Sequence, residues 1–328
     1  MTKSIKWGIL GTGGIAEKFT SDLAYATYGE AAAVGSRTLE SAKRFADKFG
    51  IPQAHGSYEE LANDPDIDAI YIATPHPFHK ENVLTCLKAG KAVLCEKPFT
   101  INSGDLEELT SYAKENGLFL MEGMWTRFLP AVIRAKEWIR DGRIGEVLHV
   151  KADFGFRTTG NPEGRMLNPA LGGGALLDVG IYVVSFASMI FGAEPEKVIS
   201  TAHIGETGVD EQNSIILEYG SGKTAALSSA IRVELANEAY IFGTEGYIHL
   251  PSFFNAKTVT LLRHGQVVDQ YKDERKSLGY NFEADEVARC LNNGRTESGG
   301  IPLDESLAIM KLMDAVRQQW GLRYPMEN

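Results

Sequence analysis

The sequence has few cysteines, no long apolar run and no excess of positive charge. Its three cysteines, Cys86, Cys95 and Cys290, lie in apolar or helical settings and are odd in number. They favour a reducing compartment over a disulfide framework. No apolar stretch approaches the length of a membrane span, and the first residues lead into a predicted strand without the apolar region of a signal peptide. We expect a cytoplasmic protein without a membrane partner.

Acidic residues outnumber basic ones by 43 to 33, and the resulting formal net charge of -10 argues against a nucleic-acid partner. The chain also lacks H-E-x-x-H, a pair of C-x-x-C motifs and a cluster of carboxylates, so we predict no metal site. A G-x-S-x-G elbow for acyl transfer is absent as well. The length of 328 residues and the hydrophobic content of 44% are typical of a globular protein with two domains.

A glycine-rich turn joins the first predicted strand, residues 5–10, to a helical pattern. Residues 11–16 have the form G-x-G-x-x-A. In such a turn the first glycine permits the tight bend, the second lets backbone approach a pyrophosphate, and the small last residue lets helix pack on strand. The N-terminus of the helix then faces the phosphates. We predict a dinucleotide site formed by Gly11, Thr12, Gly13, Gly14 and Ile15.

The residues after the second predicted strand, 31–35, indicate which dinucleotide binds. An NAD site usually carries Asp or Glu here for the ribose hydroxyls. This chain has Ser36, Arg37 and Thr38, which can bind a 2′-phosphate, and no carboxylate that would repel it. In the alternative interpretation, Arg37 is a solvated residue before a helix capped by Thr38. The pattern favours NADP as the cofactor.

Two further predicted strands, 69–73 and 92–95, end in polar residues at the edge where open α/β sheets bind ligands. Because Pro98 cannot continue a central strand, Lys97 lies on a defined turn and we expect it to face a ligand; a surface lysine is the alternative. The repeated strand–helix units predict a parallel sheet in a Rossmann-type domain, residues 1–123. At this edge we predict cofactor contacts by Thr74, Pro75, His76, His79, Glu96 and Lys97.

The periodicity changes in the second half of the chain. Predicted strands there pair through compact turns at 220–222, 244–246 and 264–265. Such hairpins indicate an α+β domain, residues 124–328, with a large, open, mainly antiparallel sheet. Only one substantial helix, 302–321, is predicted to follow that sheet, so one sheet face stays uncovered. We therefore predict a homo-oligomer, most simply a dimer.

A glycine-rich segment, residues 172–174, precedes an apolar helical pattern that contains Asp178 and Tyr182. Residues four apart share one face of a helix. The small residues before them let backbone approach a ligand or a neighbouring segment closely. Both side chains are candidate catalytic groups. The alternatives are a helix cap or surface carboxylate for Asp178 and a half-buried packing residue for Tyr182.

Aromatic and arginine residues supply the remaining candidates. Trp125, Phe154 and Phe254 are candidates for an apolar substrate wall, although aromatic residues usually belong to the core. Arg127 is a candidate contact to the cofactor and Arg157 a candidate contact to the substrate. A surface salt bridge is the alternative for both arginines.

In their order along nearly the whole chain, the motifs resemble the glucose–fructose oxidoreductase/inositol dehydrogenase (Gfo/Idh/MocA) family. They are residues 8–16, Ala73-Thr74-Pro75 with His79, Glu96-Lys97-Pro98 and residues 172–182. Residues 94–98 and 122–128, with the tyrosine-ended last motif, look most like the dimeric dihydrodiol dehydrogenase subgroup. Many family members have histidine where this chain has Tyr182, so the resemblance implies a phenol as the proton-transfer group.

The resemblance implies NADP-dependent oxidation of trans-dihydrodiols or certain aldoses, and subunits paired through the open sheet. With the small cis penalty before proline, it also implies a cis Lys97–Pro98 peptide. The hypothesis is hydride transfer between nicotinamide and a secondary alcohol or carbonyl of a cyclic polyol, trans-dihydrodiol or aldose. In it Tyr182 is the general acid/base, Lys97 lowers the pKa of the phenol, and Asp178 orients the substrate or the lysine. The alternatives are a non-catalytic NADP(H)-binding regulatory protein and a nicotinamide-dependent glycosidase.

Overall fold

The computed structural model describes residues 3–158 and 160–327. The chain forms two compact units. The first consists of the residues up to Trp125 together with Lys276–Leu307, and the second of Thr126–Arg275 together with the residues from Ala308 onward. The predicted division after residue 123 lies close to the first boundary. A continuous second domain, 124–328, does not form, because the chain returns to the first unit after the second sheet.

The first unit contains the predicted Rossmann-type parallel sheet. Its six strands have the order β3-β2-β1-β4-β5-β6, and every neighbouring pair is parallel. The elements are β1 (Ile5–Leu10), α1 (Gly14–Leu23), β2 (Gly29–Gly35), α2 (Leu39–Phe49), β3 (Gln53–His55), α3 (Tyr58–Ala62), β4 (Ala69–Ile72), α4 (His79–Lys88), β5 (Ala92–Glu96), α5 (Ser103–Glu115) and β6 (Leu120–Gly123). The strand order reverses between β1 and β4, so the carboxyl ends of these two strands flank the usual ligand crevice of such sheets.

The first unit also contains a helix that the sequence analysis misses. The prediction has one helix after the second sheet, whereas the structure has α8 (Tyr280–Asn292) and α9 (Leu303–Trp320). Helix α8 packs on α1. The Asp22 carboxylate of α1 accepts backbone N–H groups from Leu278, Gly279 and Tyr280 over 3.0, 2.7 and 2.9 Å. Because this cap comes from a residue more than 250 positions away, no local capping signal marks the start of α8.

The second unit is built on a sheet of eight strands in the order β14-β13-β12-β11-β7-β10-β9-β8. Among the described residues of this sheet only β7 and β10 pair in parallel, and the predicted turns connect β9 to β10, β11 to β12 and β13 to β14. The elements are α6 (Pro130–Arg140), β7 (Val147–Gly155), α7 (Ile181–Phe191), β8 (Lys197–Ile204), β9 (Asp210–Tyr219), β10 (Lys223–Ala230), β11 (Ala239–Gly243), β12 (Gly246–Leu250), β13 (Thr258–Arg263) and β14 (Gln266–Lys272). The prediction of a mainly antiparallel sheet is confirmed.

The two faces of this sheet differ in burial. On the inner face, helices α6 and α7 pack on the strands, and one cross-strand row is fully buried. That row is Leu217, Ala225, Val150, Ile241, Ile248 and Leu261. The neighbouring row on the outer face runs through Ile199, Ile216, Ala226, Lys151 and Tyr240. Ile199 and Ile216 are 47% and 39% exposed.

The apolar stretch Pro169–Phe191 corrects one sequence-based expectation. By length and composition it reaches what a membrane-spanning helix needs. However, 83% of its most apolar window is buried inside the protein. It includes α7, whose apolar side chains pack against β7 and β10 of the inner sheet face. The stretch, which ends in α7, is therefore part of the buried core of the second unit.

Candidate functional site

The glycine turn of the first unit has the geometry that a dinucleotide needs. Gly11 has φ +106°, a value that favours glycine, and a Cβ there would lie 3.1 Å from the Ala73 carbonyl oxygen. A Cβ on Gly13 or Gly14 would meet nothing within 4 Å. Gly13 is the N-cap of α1 and supplies no side-chain cap. The turn thus leaves open space beside the first N–H groups of a helix, which fits a pyrophosphate.

The end of β2 brings the predicted ribose-recognition residues next to this turn. Ser36 is buried, and its Oγ lies 3.5 Å from Thr12 Oγ1. Arg37 is exposed. The positive charge of Arg37 partly offsets the rise that burial causes in the pKa of Tyr58, a half-buried residue. Thr38 Oγ1 accepts the backbone N–H of Ser41 at 3.3 Å, so this hydroxyl caps α2.

His79 lies inside the protein, where it connects the loops that follow β4 and β5. Its ring is fully buried, with Nε2 2.7 Å from the Thr74 carbonyl oxygen and Nδ1 2.9 Å from that of Pro98. Burial lowers the pKa of His79, and the contacts with the carbonyl oxygens oppose that change. Both ring nitrogens therefore lie within hydrogen-bond distance of backbone carbonyl oxygens. His79 connects two loops here, and its ring is not exposed for the cofactor contact that the sequence predicts. His76 and Thr74 are also buried beside it.

The end of β5 carries Glu96 and Lys97. The Lys97–Pro98 peptide is cis, as predicted. Glu96 is only 5% exposed, and its carboxylate accepts the Tyr71 hydroxyl and the backbone N–H of Lys97. These contacts direct both oxygens of Glu96 toward protein groups, whereas Lys97 is half-buried at the strand end.

A second buried carboxyl group, Glu283 of α8, lies near Glu96 and was not predicted. Glu283 is fully buried, and in the part of the chain that the structure describes neither of its carboxyl oxygens has a hydrogen-bond partner. Burial raises the pKa of Glu283 well above its usual value, and the negative charges of Glu96 and Asp22 add to the rise. No sequence signal could find this residue, because α8 itself was missed.

In the second unit, the glycine-rich segment before Asp178 packs closely against neighbouring chain. A Cβ on Gly173 would lie 2.7 Å from the Met166 carbonyl oxygen. Gly174 has φ +119°, and a Cβ there would lie 2.4 Å from Asp210 Oδ1. Of the two roles that the sequence left open for these glycines, the structure shows the close approach of neighbouring segments. The chain then enters a π-helical turn, Leu176–Gly180, which continues into α7.

Asp178 lies in this π-helical turn and is only 5% exposed, so it is neither a cap nor a surface carboxylate. Its Oδ1 lies 2.7 Å from Nη1 of Arg165, whose side chain is 41% exposed. Arg165 precedes Asp178 by 13 residues in a segment without regular structure, and no spacing rule pointed to it. The ion pair fixes Asp178 as an acceptor, while part of the Arg165 side chain stays exposed.

Tyr182 belongs to an aromatic cluster with two of the predicted substrate-wall residues. The rings of Phe154 and Phe254 stack with centroids 4.1 Å apart, and Tyr182 meets Phe154 edge-on at 5.2 Å. Tyr182 is 7% exposed. Thr126 Oγ1 donates to the Phe254 carbonyl oxygen over 2.7 Å and holds that residue in place. The structure therefore brings a phenol and two apolar rings together within one unit.

The other predicted residues lie elsewhere. Within the first unit, Trp125 stacks on Tyr280 with ring centroids 4.5 Å apart. Arg127 is 4% exposed and donates to the hydroxyl and the carbonyl oxygen of Ser185, which rules out a surface salt bridge and connects it to α7. Arg157 is exposed, and its backbone forms a bridge with that of Arg232.

Metal-ligand groups and reactive thiols are scarce. Among the described residues no three His, Cys, Asp or Glu side chains come together in a way that could hold a metal ion. All three cysteines are free and buried. Burial raises the pKa of Cys86 to about 12 and that of Cys290 to about 11, so neither is an activated thiolate at neutral pH.

Comparison with known proteins assigns both units to one family. A family model described as "Oxidoreductase family, NAD-binding Rossmann fold" matches residues 5–124, and the family's C-terminal domain model matches residues 132–249. Curated relatives named trans-1,2-dihydrobenzene-1,2-diol dehydrogenase include those of Mus musculus, 40% identical over 99% of both chains, and Xenopus laevis, 41% identical over 98% of this chain and 99% of the relative.

Solved structures agree with this assignment. An aldose-aldose oxidoreductase from Caulobacter crescentus, in complex with glycerol, is 27% identical with a TM-score of 0.88 and covers 97% of this chain and 98% of its own. A 3-ketoreductase from Actinomadura kijaniata, in complex with NADP and TDP-benzene, is 27% identical with a TM-score of 0.84 and covers 96% of this chain and 98% of its own. The chain belongs to the GFO/IDH/MocA oxidoreductase family.

Proposed function

We propose that the protein is an NADP-dependent oxidoreductase that acts on a secondary alcohol or carbonyl of a trans-dihydrodiol, cyclic polyol or aldose. The relatives named above support the substrate class, since their names specify a cyclic diol, aldoses and a ketone. The observation that carries the proposal is the aromatic cluster of Tyr182, Phe154 and Phe254. It combines a phenol, a group that can transfer a proton, with flat apolar surfaces that suit one side of a ring-shaped substrate.

The residues that would hold the cofactor fit a dinucleotide. The open space at Gly13 and Gly14 accommodates a pyrophosphate beside the N-terminus of α1. Ser36 and the exposed Arg37 offer a hydroxyl and a guanidinium for a 2′-phosphate, which supports NADP over NAD. When bound, the nicotinamide supplies the acceptor or donor of a hydride.

The proposal assigns proton transfer and substrate orientation to Tyr182, Lys97 and Asp178. In the oxidative direction the Tyr182 phenolate takes the proton of the substrate alcohol, and in the reductive direction the Tyr182 phenol donates its proton to the carbonyl oxygen. Lys97 contributes a positive charge, which favours a phenolate over a phenol. Asp178, held by Arg165, accepts hydrogen bonds from a second hydroxyl of the substrate. A vicinal diol or a sugar would supply that second hydroxyl.

We also propose that the chain forms a homodimer through the outer face of the second sheet. Exposed Ile199 and Ile216 lie in one row with Lys151 and Tyr240, and the same face has a depression of about 410 Å³. An extended surface with apolar residues is typical of a self-complementary interface. Light scattering at micromolar concentration should give twice the mass of the chain. A monomer mass would contradict this part of the proposal.

The central test is a spectrophotometric screen of trans-dihydrodiols, aldoses and inositols with NADP⁺ and with NAD⁺, followed through the reduced nicotinamide. We expect turnover of free NADP⁺ with at least one ring-shaped polyhydroxylated substrate. A regulatory protein would bind the cofactor without turning over any substrate. A nicotinamide-dependent glycosidase would cleave a glycoside without net reduction of NADP⁺. Either result would overturn the proposed activity.

A further inference from the structure

A row of buried polar side chains lies in the second sheet where it packs against the π-helical turn. Asp210 and Asn213 of β9 and Ser229 of β10 are 0%, 2% and 0% exposed. Asn213 and Ser229 stand opposite each other in the β9–β10 register, and Ser229 Oγ donates to Asn213 Oδ1 over 2.8 Å. Asn213 Nδ2 donates to Asp210 Oδ2 over 2.8 Å. Buried polar side chains destabilise the fold unless they form hydrogen bonds, so the groups that these three residues bind indicate their role.

The row supports the helical stretch at both ends of its first turn. At one end, Asp210 Oδ2 accepts the backbone N–H of Leu176 at 2.8 Å. At the other end, a Cβ on Gly180 would lie 3.0 Å from Ser229 Oγ, so the helix backbone approaches the sheet closely there. Asp178 lies between these two points, and Tyr182 follows directly in α7.

The carboxyl group of Asp210 also lies against the glycine segment that leads into the turn. Its Oδ1 would clash with any Cβ on Gly174, at 2.4 Å, and this oxygen has no hydrogen-bond partner within the described residues. The Tyr324 hydroxyl donates to the Gly173 carbonyl oxygen over 2.7 Å. Asp210 therefore contacts the chain twice: its Oδ1 lies against the backbone of Gly174, and its Oδ2 binds the N–H of Leu176.

We propose that Asp210 is a positioning residue: by binding the Leu176 N–H from the sheet, it determines where Asp178 and Tyr182 stand for the reaction. This inference rests on the proposed function. The first N–H groups of a helix have no partner within the helix and carry a partial positive charge, and a carboxylate satisfies both conditions. Reacting groups must hold their place closely, because a shift of about 1 Å can cost on the order of 10²-fold in rate.

The charge of the Asp210 carboxyl group changes near neutral pH. Burial raises the pKa of Asp210 to about 7, and the hydrogen bonds from Asn213 and Leu176 and the charge of Arg317 oppose that rise. The charged or titratable groups that act on Asp210 are Arg317 of α9 and the buried Tyr324, whereas β9 and β10 contribute the neutral Asn213 and Ser229. Above that pH the ionised carboxylate binds the Leu176 N–H more strongly.

The test compares Asp210→Asn, Asp210→Ala and Ser229→Ala with the unmodified protein and with Asp22→Asn. The last variant is the matched control, because it makes the same change in a buried carboxylate that caps α8 in the other unit. Hydrogen exchange of residues 174–182, followed by mass spectrometry, reports on the turn without requiring activity. Turnover and cofactor affinity are measured from pH 5.5 to 9.

We expect Asp210→Ala to accelerate exchange in residues 174–182 by about tenfold or more and to lower kcat by about 10–100-fold, with cofactor affinity within about twofold. Asp210→Asn keeps an acceptor oxygen but cannot ionise, so the kcat profile should lose an inflection near pH 7 that the unmodified protein and Asp22→Asn retain. Ser229→Ala should show a weaker form of the same exchange effect.

Unchanged exchange in residues 174–182 for Asp210→Asn and Ser229→Ala, together with an unchanged pH profile, would overturn the proposal. If Asp210→Ala does not fold, these two variants still decide the question. A failure of the proposed function can be told apart from a failure of the Asp210 proposal, because in the first case even the unmodified protein turns over no substrate. The exchange result then still shows whether Asp210 holds the turn.

Discussion

Nη1 of Arg165 lies 2.7 Å from Oδ1 of Asp178, and this contact joins an exposed loop to the buried π-helical turn beside Tyr182. An ion pair with one partly exposed partner contributes up to about 1 kcal/mol, which corresponds to roughly fivefold in rate. We expect Arg165→Met to lower kcat/KM by about that factor. In a double-mutant cycle, the double variant Arg165→Met/Asp178→Asn should lose little more kcat/KM than Asp178→Asn alone.

Arg143 provides the control for this cycle, because it forms an ion pair of 2.5 Å with Asp269 in the same unit. Arg143→Met should leave kcat/KM within about twofold. Equal losses for Arg143→Met and Arg165→Met would show that the Arg165 effect is not specific to the site.

Removing the Tyr182 hydroxyl should stop proton transfer and leave the aromatic cluster intact. Tyr182→Phe should lower the oxidation rate by roughly 10²–10⁴-fold with NADP⁺ affinity nearly unchanged. In the proposed mechanism Lys97 supplies a positive charge to the phenol, so Lys97→Met should lower the rate by a similar factor and move the pH optimum of the residual activity upward. Tyr219→Phe is the matched control, since Tyr219 is a buried tyrosine that packs on Phe191 in the same unit. Near-normal turnover by Tyr182→Phe would make Tyr182 a packing residue.

Cofactor preference should depend on Arg37. A charge-assisted phosphate contact is worth about 1.5–3 kcal/mol, so Arg37→Asp should weaken NADP⁺ binding by roughly ten- to over a hundredfold and spare NAD⁺. Arg44→Asp makes the same change at another exposed arginine, on α2, and should leave the preference for NADP⁺ intact. Titrations of both cofactors test this, and equal affinities in the unmodified protein would contradict it.

The stacked ring of Phe254 should matter most for flat substrates. An aromatic contact contributes about 0.5–1.5 kcal/mol beyond apolar burial, so Phe254→Leu should lower kcat/KM for a trans-dihydrodiol by roughly two- to tenfold. The loss should be smaller for an aldose, whose ring is not flat. Phe191→Leu, in the same unit but packed on Tyr219, serves as the control. Equal losses for both substrates would argue against an aromatic substrate wall.

Glu283 should make the protein less stable as the pH rises. Its pKa is raised in the folded state, so the folded state keeps a proton that the unfolded chain releases above about pH 4.3. The stability that this proton provides is fully present at low pH and is lost as the pH rises toward the folded-state pKa, at up to about 1.4 kcal/mol per pH unit. Glu283→Gln should flatten this slope in urea denaturation between pH 5 and 8. Glu115→Gln, an exposed site on α5, should keep the slope of the unmodified protein.

Local patterns predicted the strands and turns because their causes lie close together in the sequence. The glycine motif at Gly11, the hairpin turns and the run of buried strands each follow from short-range spacing. The residues that sequence analysis missed depend on contacts between distant segments. Helix α8 is capped by Asp22, Asp178 is paired with Arg165 on an irregular segment, and Asp210 reaches the Leu176 N–H across 34 positions.

His79 illustrates a different limit. Its motif correctly marked the edge of the parallel sheet, yet the ring turns inward to backbone carbonyl oxygens. A one-dimensional pattern gives the position of a residue along a strand or helix. It does not give the direction of the side chain when several loops meet.

The return of the chain to the first unit has a consequence for synthesis on the ribosome. Asp22 is made 257 residues before Gly279, whose N–H it binds, and the whole second sheet is translated in between. A nascent chain that ends after β6 therefore carries α1 without the α8 helix that covers it. Such a chain exposes apolar surface for as long as the ribosome needs to make the second unit. Early termination anywhere before α8 should yield an incomplete, aggregation-prone nucleotide-binding unit.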